Sequence, residues 1–296
     1  MAREGDTLKR LARAVTPPAL YAAASRLKRG RPDSPYPYEY VPEGWRGARP
    51  GDGWNEASVR DSYLAGWPAF VESVRGTGPQ HLGAGYGLLA GHNAVACVSY
   101  ALALAAWGRP SLSLLDWGGG LGQFYLRGRA ALPGVRIEYH CKDVPLLAAQ
   151  GRALFPEAEH PDVGFSSDES CLTRRYDFVL AATSLHYSED WRRVLAALAR
   201  AARGYLMLTR LPCHPDGPAY VYRHRALGSE FLSWSFPAGE LLGCAGDAGL
   251  TLVREFLLDE APQPIRGAPS PSTLRAYLFR GRDDHADTDP VADPDS

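Results

Sequence analysis

Residues 114 to 122 read LLDWGGGLG: an apolar pair, one carboxylate, then four glycines within five positions. No other stretch limits the possible fold as strongly. A glycine-rich turn between a buried strand and a helix lets backbone N–H groups and a helix N-terminus approach a ligand closely, because no Cβ intervenes. Two phosphate-binding patterns use that device, and neither is complete here. The dinucleotide fingerprint GxGxxG is met at Gly118 and Gly120 but has Gln123 where its third glycine belongs, and the GK[ST] ending of a phosphate loop is absent.

What the stretch does spell is D-x-G-x-G-x-G, from Asp116, Gly118, Gly120 and Gly122. A carboxylate aimed into the loop repels a pyrophosphate and attracts a cationic amine, which suggests a ligand bearing an ammonium, such as S-adenosylmethionine. Downstream, Asp143 closes the second strand-like run, ~20 residues beyond the loop, where a carboxylate can accept both hydrogen bonds of a ribose diol. The same Asp143 also reads as a helix-capping residue ahead of Pro145. In GFSSDESC, Asp168 is placed to accept from an adenine amino group or to serve as a turn residue.

The surrounding pattern is that of an α/β domain. From about residue 81 to 282 apolar runs alternate with helical stretches, the signature of a βα-wound sheet. Strand candidates cover 112–115, 135–141, 178–182, 205–209, 251–256 and 275–279. Between the third and fourth of these a helix is punctuated by Ser188 as N-cap, by Trp191, Val194, Leu195 and Leu198 on one face, and by Gly204 as stop. Residues 87–107 carry no charge, but their Ala, Gly and Ser content, with His92 and Asn93, fits a buried helix rather than a membrane span.

The predicted organisation is an N-terminal extension at 1–80, a cofactor-binding domain at 81–282 with an insertion over the substrate at about 211–239, and a disordered acidic tail at 283–296. Within the extension, residues 1–31 form a basic, partly amphipathic segment, read either as a peripheral foot on an anionic membrane or as a solvated helix packed on the domain. Residues 32–56 are dense in Pro, Gly, Tyr and Trp and read as an irregular arm. A formal net charge of -1 argues against a nucleic-acid partner. The five scattered cysteines lack a CxxC pair, and with no secretory signal they fit a reducing, cytoplasmic location.

DWGGGLG with Asp143 downstream, SSDES and YDFVLAATSLHY resemble motif I and its successors in class I S-adenosylmethionine-dependent methyltransferases, over about residues 110 to 282. More narrowly, the Trp54-Asn55 pair, the LTRLP run (208–212) and the SWSF segment with Trp234 resemble a bacterial group of methyltransferases often encoded beside glycan or polysaccharide biosynthesis genes. The resemblance implies a Rossmann-like α/β fold with a seven-strand sheet of order 3-2-1-4-5-7-6, the last strand antiparallel. It implies that Asp116, Gly118, Gly119, Gly120 and Gly122 line the methionine part of the cofactor. Asp143 and Val144 would hold the ribose, and Ser167, Asp168 and Glu169 the adenine edge.

Thr183, Ser184 and His186 follow the fourth strand of that order, where such enzymes face the transferred methyl. The best general-base candidate is His186, because imidazole titrates near neutrality. Tyr187, Arg210, His214 and Trp234 would form the acceptor side. The residues lack the acidic ligand set of metal-dependent relatives, so no metal is expected. The implied activity is methylation, of an oxygen sooner than a nitrogen, on a sugar, glycan precursor or related secondary metabolite. Two alternatives stand beside it: a non-catalytic scaffold on a cofactor fold, and a nicotinamide-dependent sugar-nucleotide oxidoreductase or epimerase.

Overall fold

The run YDFVLAA, Tyr176–Ala182, is apolar at nearly every position rather than at alternate ones, and six of its seven residues are buried. Both faces of such a strand must be covered, which places it in the middle of a parallel sheet with helices on either side. The computed structural model, which describes residues 37–47, 53–78 and 88–281, has that arrangement. The basic segment 1–31 and the acidic tail 283–296 lie outside the described residues.

The described strands are β1 (Tyr38–Tyr40), β2 (Ser111–Trp117), β3 (Arg136–Lys142), β4 (Val163–Ser166), β5 (Tyr176–Ala182), β6 (Ala202–His214), β7 (Tyr220–Ala226), β8 (Ser229–Pro237), β9 (Thr251–Gln263) and β10 (Ser272–Arg280). The helices are α1 (Gly44–Gly47), α2 (Ala57–Arg75), α3 (Leu88–Ala105), α4 (Gln123–Ala131), α5 (Pro145–Leu154), α6 (Trp191–Ala201) and α7 (Ala238–Asp247). Short 3-10 turns occupy Gly53–Asn55, Ser170–Thr173 and Leu185–Tyr187.

Seven strands follow the path β4-β3-β2-β5-β6-β10-β9, with β10 antiparallel to both neighbours. That path is the Rossmann-like order expected from the resemblance, but the sheet differs from it in detail. The far end of β6 also pairs in parallel with β8 through Cys213 and His214, and β7 and then β1 add antiparallel strands beyond β8. The sheet therefore forks at β6 and has ten strands among the described residues. The stretch 211–239, read as an insertion, is the end of β6 followed by the β7–β8 hairpin.

Apolar clusters cover both faces. On one, Trp191, Val194 and Leu198 of α6 and Leu241 of α7 pack on Leu206 and Leu208 of β6. On the other, Val98 and Leu102 of α3 and Phe124 of α4 pack on Leu112, Ile137 and Met207. The uncharged run at 87–107 is thus mostly α3, with Ala90, Ala94, Val98, Ala101 and Leu102 buried in the domain. No helix of the described residues is long and apolar enough to cross a membrane.

Two punctuation marks move. The N-cap of α6 is Asp190, whose carboxylate accepts from the Arg193 N–H at 3.2 Å, not Ser188. Ser188 instead ends the preceding 3-10 turn. Gly204 is not a helix stop but lies inside β6, where a Cβ would run into the Asp177 carbonyl of β5.

Candidate functional site

The parallel strands β2, β3, β5 and β6 all end at one edge of the sheet, and there a cavity of about 700 Å³ opens. That volume suits a small-molecule ligand, and its position outside the carboxyl ends of parallel strands is the usual one for an open α/β sheet. Gly118, Gly119 and Gly120 face it directly. Gly118 and Gly120 have φ of +74° and +63°, backbone that side chains strongly disfavour. At Gly119 a Cβ would lie 2.5 Å from the Asp116 carboxylate and 2.8 Å from the Cys141 sulfur. The loop is thus bare toward the cavity and close-packed behind it, a cradle that fits an adenosyl cofactor. Gly122 lies outside this wall. With φ +89° it precedes α4 and packs against the Phe155 and Phe165 rings.

Asp143 reaches the same wall. Its Oδ2 accepts the Gly120 N–H and its Oδ1 the Val144 N–H, both at 2.7 Å, and burial pushes its carboxyl up to about 6 against those bonds. Each oxygen keeps a lone pair for a further donor. The capping role goes elsewhere: Asn55 Oδ1 accepts the Leu146 N–H in the first turn of α5 at 3.0 Å.

Asp116 does not line the cavity, contrary to expectation. It is fully buried beneath the loop, its Oδ2 accepting from Tyr139 Oη at 2.6 Å while Oδ1 has no partner among the described residues. Burial pushes its carboxyl up to about 7, the Tyr139 hydrogen bond opposing and the Asp143 charge adding. An acid whose folded pKa is raised contributes stability that is complete below its unfolded value of about 3.8 and is lost as pH rises through about 7. Asp143 acts in the same direction up to about 6. Stability is therefore expected to fall between pH 4 and 7 by up to about 1.4 kcal/mol per unit for each such group. Urea unfolding of Asp116→Asn at pH 5 and 8 should show a flatter dependence than the wild type. Parallel profiles would remove this role.

Of the residues expected at the adenine edge, Glu169 lines the cavity, held by Arg193 through two 2.8 Å hydrogen bonds. Ser167 and Asp168 do not line it. The Asp168 Oδ1 accepts the Ser170 N–H at 2.9 Å, the turn role the sequence left open.

Of the residues expected beside the transferred methyl and the acceptor, Thr183, Ser184, Tyr187 and Arg210 line the cavity. Ser184 Oγ donates to the Trp117 carbonyl at 2.5 Å, tying the ends of β2 and β5 together. The remaining expected residues lie elsewhere. His186 is 2% exposed, faces a separate cavity of about 20 Å³, and is pushed down to about 3 by burial and by His224 and Arg210, so it is neutral at physiological pH. A base needs to reach the proton it takes, and His186 does not reach the large cavity. His214, the last residue of β6, is buried and shares a 2.9 Å hydrogen bond with Ser235 Oγ of β8. Trp234 stacks on Trp45 and donates its Nε1–H to the Glu189 carbonyl at 3.2 Å. Neither residue lines the large cavity.

Sequence reasoning missed the whole of α2 as cavity wall. Tyr63, Trp67 and Phe70 face the cavity at helical spacing, and only Val59 of that helix is fully buried. The stripe is visible in YLAGWPAF, but a helix face over a cavity reads the same as one over a core. Trp54, stacked on Phe231 at 4.2 Å, also lines the cavity. Among the described residues no group of three or more His, Cys, Asp and Glu side chains could hold a metal ion.

This is the Rossmann-like methyltransferase fold. A candidate sarcosine dimethylglycine methyltransferase from Galdieria sulphuraria superimposes with a TM-score of 0.51 at 17% identity, covering 77% of this chain and 99% of that one. The 1,6-didemethyltoxoflavin-N1-methyltransferase of Burkholderia thailandensis, solved with 1,6-didemethyltoxoflavin and S-adenosylhomocysteine, has a TM-score of 0.46 at 18% identity, over 80% and 92%. The magnesium protoporphyrin IX methyltransferase of Synechocystis PCC 6803, solved with S-adenosylmethionine, gives 0.46 at 16%, over 76% and 95%. No protein-family model matches the sequence, and comparison with curated proteins finds no match.

Proposed function

We propose that the chain is an S-adenosylmethionine-dependent methyltransferase acting on an oxygen of a sugar, glycan precursor or related secondary metabolite. One observation carries the cofactor assignment: the Asp143 carboxylate and the bare backbone of Gly118 to Gly120 share one wall of the cavity. When bound, the cofactor supplies a methyl group already activated on a sulfonium. The chain's own residues then have to place the acceptor and dispose of its proton. Gly118, Gly119, Gly120 and Asp143 would hold the adenosyl and methionine parts, with Glu169 at the adenine edge.

Tyr187 is better placed than His186 to meet an acceptor hydroxyl. Its own hydroxyl shares a 3.0 Å hydrogen bond with His224 Nδ1, and it lines the cavity. Trp54 offers an aromatic face suited to a sugar ring. The nicotinamide alternative is disfavoured by Gln123, whose side chain takes up the Leu121 N–H at 3.0 Å where the fingerprint's third glycine would stand. Incubation with methyl-labelled S-adenosylmethionine and a panel of nucleotide sugars, glycans and amines tests the acceptor class. Label on oxygen of a sugar is expected, and transfer confined to amines contradicts the oxygen assignment.

A further inference from the structure

Among the described residues all three non-glycine residues with positive φ line the large cavity: Thr183 at +60°, Arg210 at +57° and Leu227 at +55°. Backbone in that region is strained for a residue with a side chain, and such strain gathers where it serves a function. Leu227 is the least expected of the three. It and Gly228, with φ +73°, make the two-residue turn that joins β7 to β8, since Ala226 pairs with Ser229 across it. Both φ values are positive, the type I′ pattern, for which asparagine followed by glycine is a favoured pair. Asparagine enters the left-handed region readily, and leucine does not.

Packing among the described residues does not account for the leucine. Leu227 is partly buried and belongs to none of the apolar clusters that hold the sheet and the hairpin. The tip itself is seated: Ser229 Oγ donates to the Gly53 carbonyl at 2.9 Å, and a Cβ on Gly228 would lie 3.1 Å from Cβ of Ser58 in the first turn of α2. That seat sets the tip beside the segment carrying Trp54, which stacks on Phe231 of β8 and lines the same cavity. The hairpin reaches the cavity from beyond β6, whereas the glycine loop and Asp143 stand at the ends of β2 and β3, with β5 and β6 between. Leu227 therefore belongs to a different wall from the one assigned to the cofactor.

We propose that Leu227 is a specificity-determining residue, held left-handed at the hairpin tip so that it meets an apolar group of the acceptor, the methyl of a 6-deoxy sugar. The inference rests on the methyltransferase reading of the same cavity and narrows it. A leucine side chain gives a methyl group an apolar contact but gives a hydroxymethyl group no hydrogen bond, so the extra hydroxyl loses water without return. With Trp54 beside it, the wall pairs an aromatic face with an aliphatic tip.

Leu227→Asn tests this, because it suits the turn and removes the aliphatic group. Its melting temperature should match that of the wild type or exceed it by about 1–3 °C as the strain is relieved, with unchanged affinity for S-adenosylhomocysteine. A lower melting temperature would mean that the leucine serves packing, and weaker S-adenosylhomocysteine binding that it serves the cofactor; either overturns the proposal. Methyl transfer from labelled S-adenosylmethionine is then compared for 6-deoxyglucose against glucose and for 6-deoxygalactose against galactose, each presented as its nucleoside diphosphate sugar. The wild type should favour one deoxy member by at least about tenfold in kcat/KM, and Leu227→Asn should lose most of that preference. Equal use of both members of each pair, no transfer to any deoxy sugar, or an intact preference in Leu227→Asn overturns it. Titration of the wild type with S-adenosylhomocysteine separates the two readings. No binding sinks the methyltransferase reading, whereas binding with methyl transfer but without the deoxy preference sinks only the role of Leu227.

Discussion

Gly118→Ala is expected to weaken S-adenosylhomocysteine binding by about 100-fold or more. The added Cβ meets two obstacles at once. Gly118 has φ +74°, and the Cβ would run into Cβ of Ser184, the residue whose hydroxyl ties the ends of β2 and β5 through the Trp117 carbonyl. Relief requires the loop to move, which strains the 2.7 Å bond from the Gly118 N–H to the Lys142 carbonyl and shifts the backbone that faces the cavity. Because the obstacle is internal, the melting temperature should fall as well. Calorimetry with a thermal melt checks both, and wild-type affinity in Gly118→Ala would show that the loop does not shape the site.

Asp143→Ala should be nearly as severe. It removes a cavity-lining carboxylate and leaves the Gly120 and Val144 N–H groups without their 2.7 Å acceptor, each a loss of about 1–3 kcal/mol where water cannot replace it. A combined loss of about 100-fold in S-adenosylhomocysteine affinity follows. Asp143→Asn separates the two contributions, since an amide oxygen can keep one of the N–H bonds, and a loss of about tenfold is expected. The carboxyl is pushed up to about 6, so wild-type affinity should decline as pH falls below that value while Asp143→Asn shows no such decline. Identical pH profiles would remove the carboxylate from the ligand site.

The glycine loop and the parallel strands were legible because their signals are local. A buried central strand needs apolar residues on both faces, and a loop that approaches a ligand needs positive φ, and both needs are written as residue types. The hairpin was illegible for the opposite reason: β7 carries Arg223, His224 and Arg225 among its aromatics, so it reads as surface until β1 and β8 cover it. His186 and Tyr187 show the finer limit. They adjoin on a 3-10 turn, where successive residues point about 120° apart, so His186 faces the small buried cavity alone while Tyr187 also reaches the large one. Residue type favoured the histidine, and the turn favours the tyrosine. Arg210 was picked out as an acceptor residue by its place after the fifth strand of the order, but in the structure it lies within β6, where it and Thr209 bulge opposite Ala276 of β10, and that register is one no local pattern records.

The central claim is that this cavity takes an adenosyl cofactor bearing an amino acid, not a dinucleotide. Isothermal titration of the folded protein with S-adenosylhomocysteine and, separately, with NAD tests it most directly. Saturable binding of S-adenosylhomocysteine with no heat from NAD is the expected result. Binding of NAD, or no binding of S-adenosylhomocysteine to protein that melts cooperatively, would contradict it.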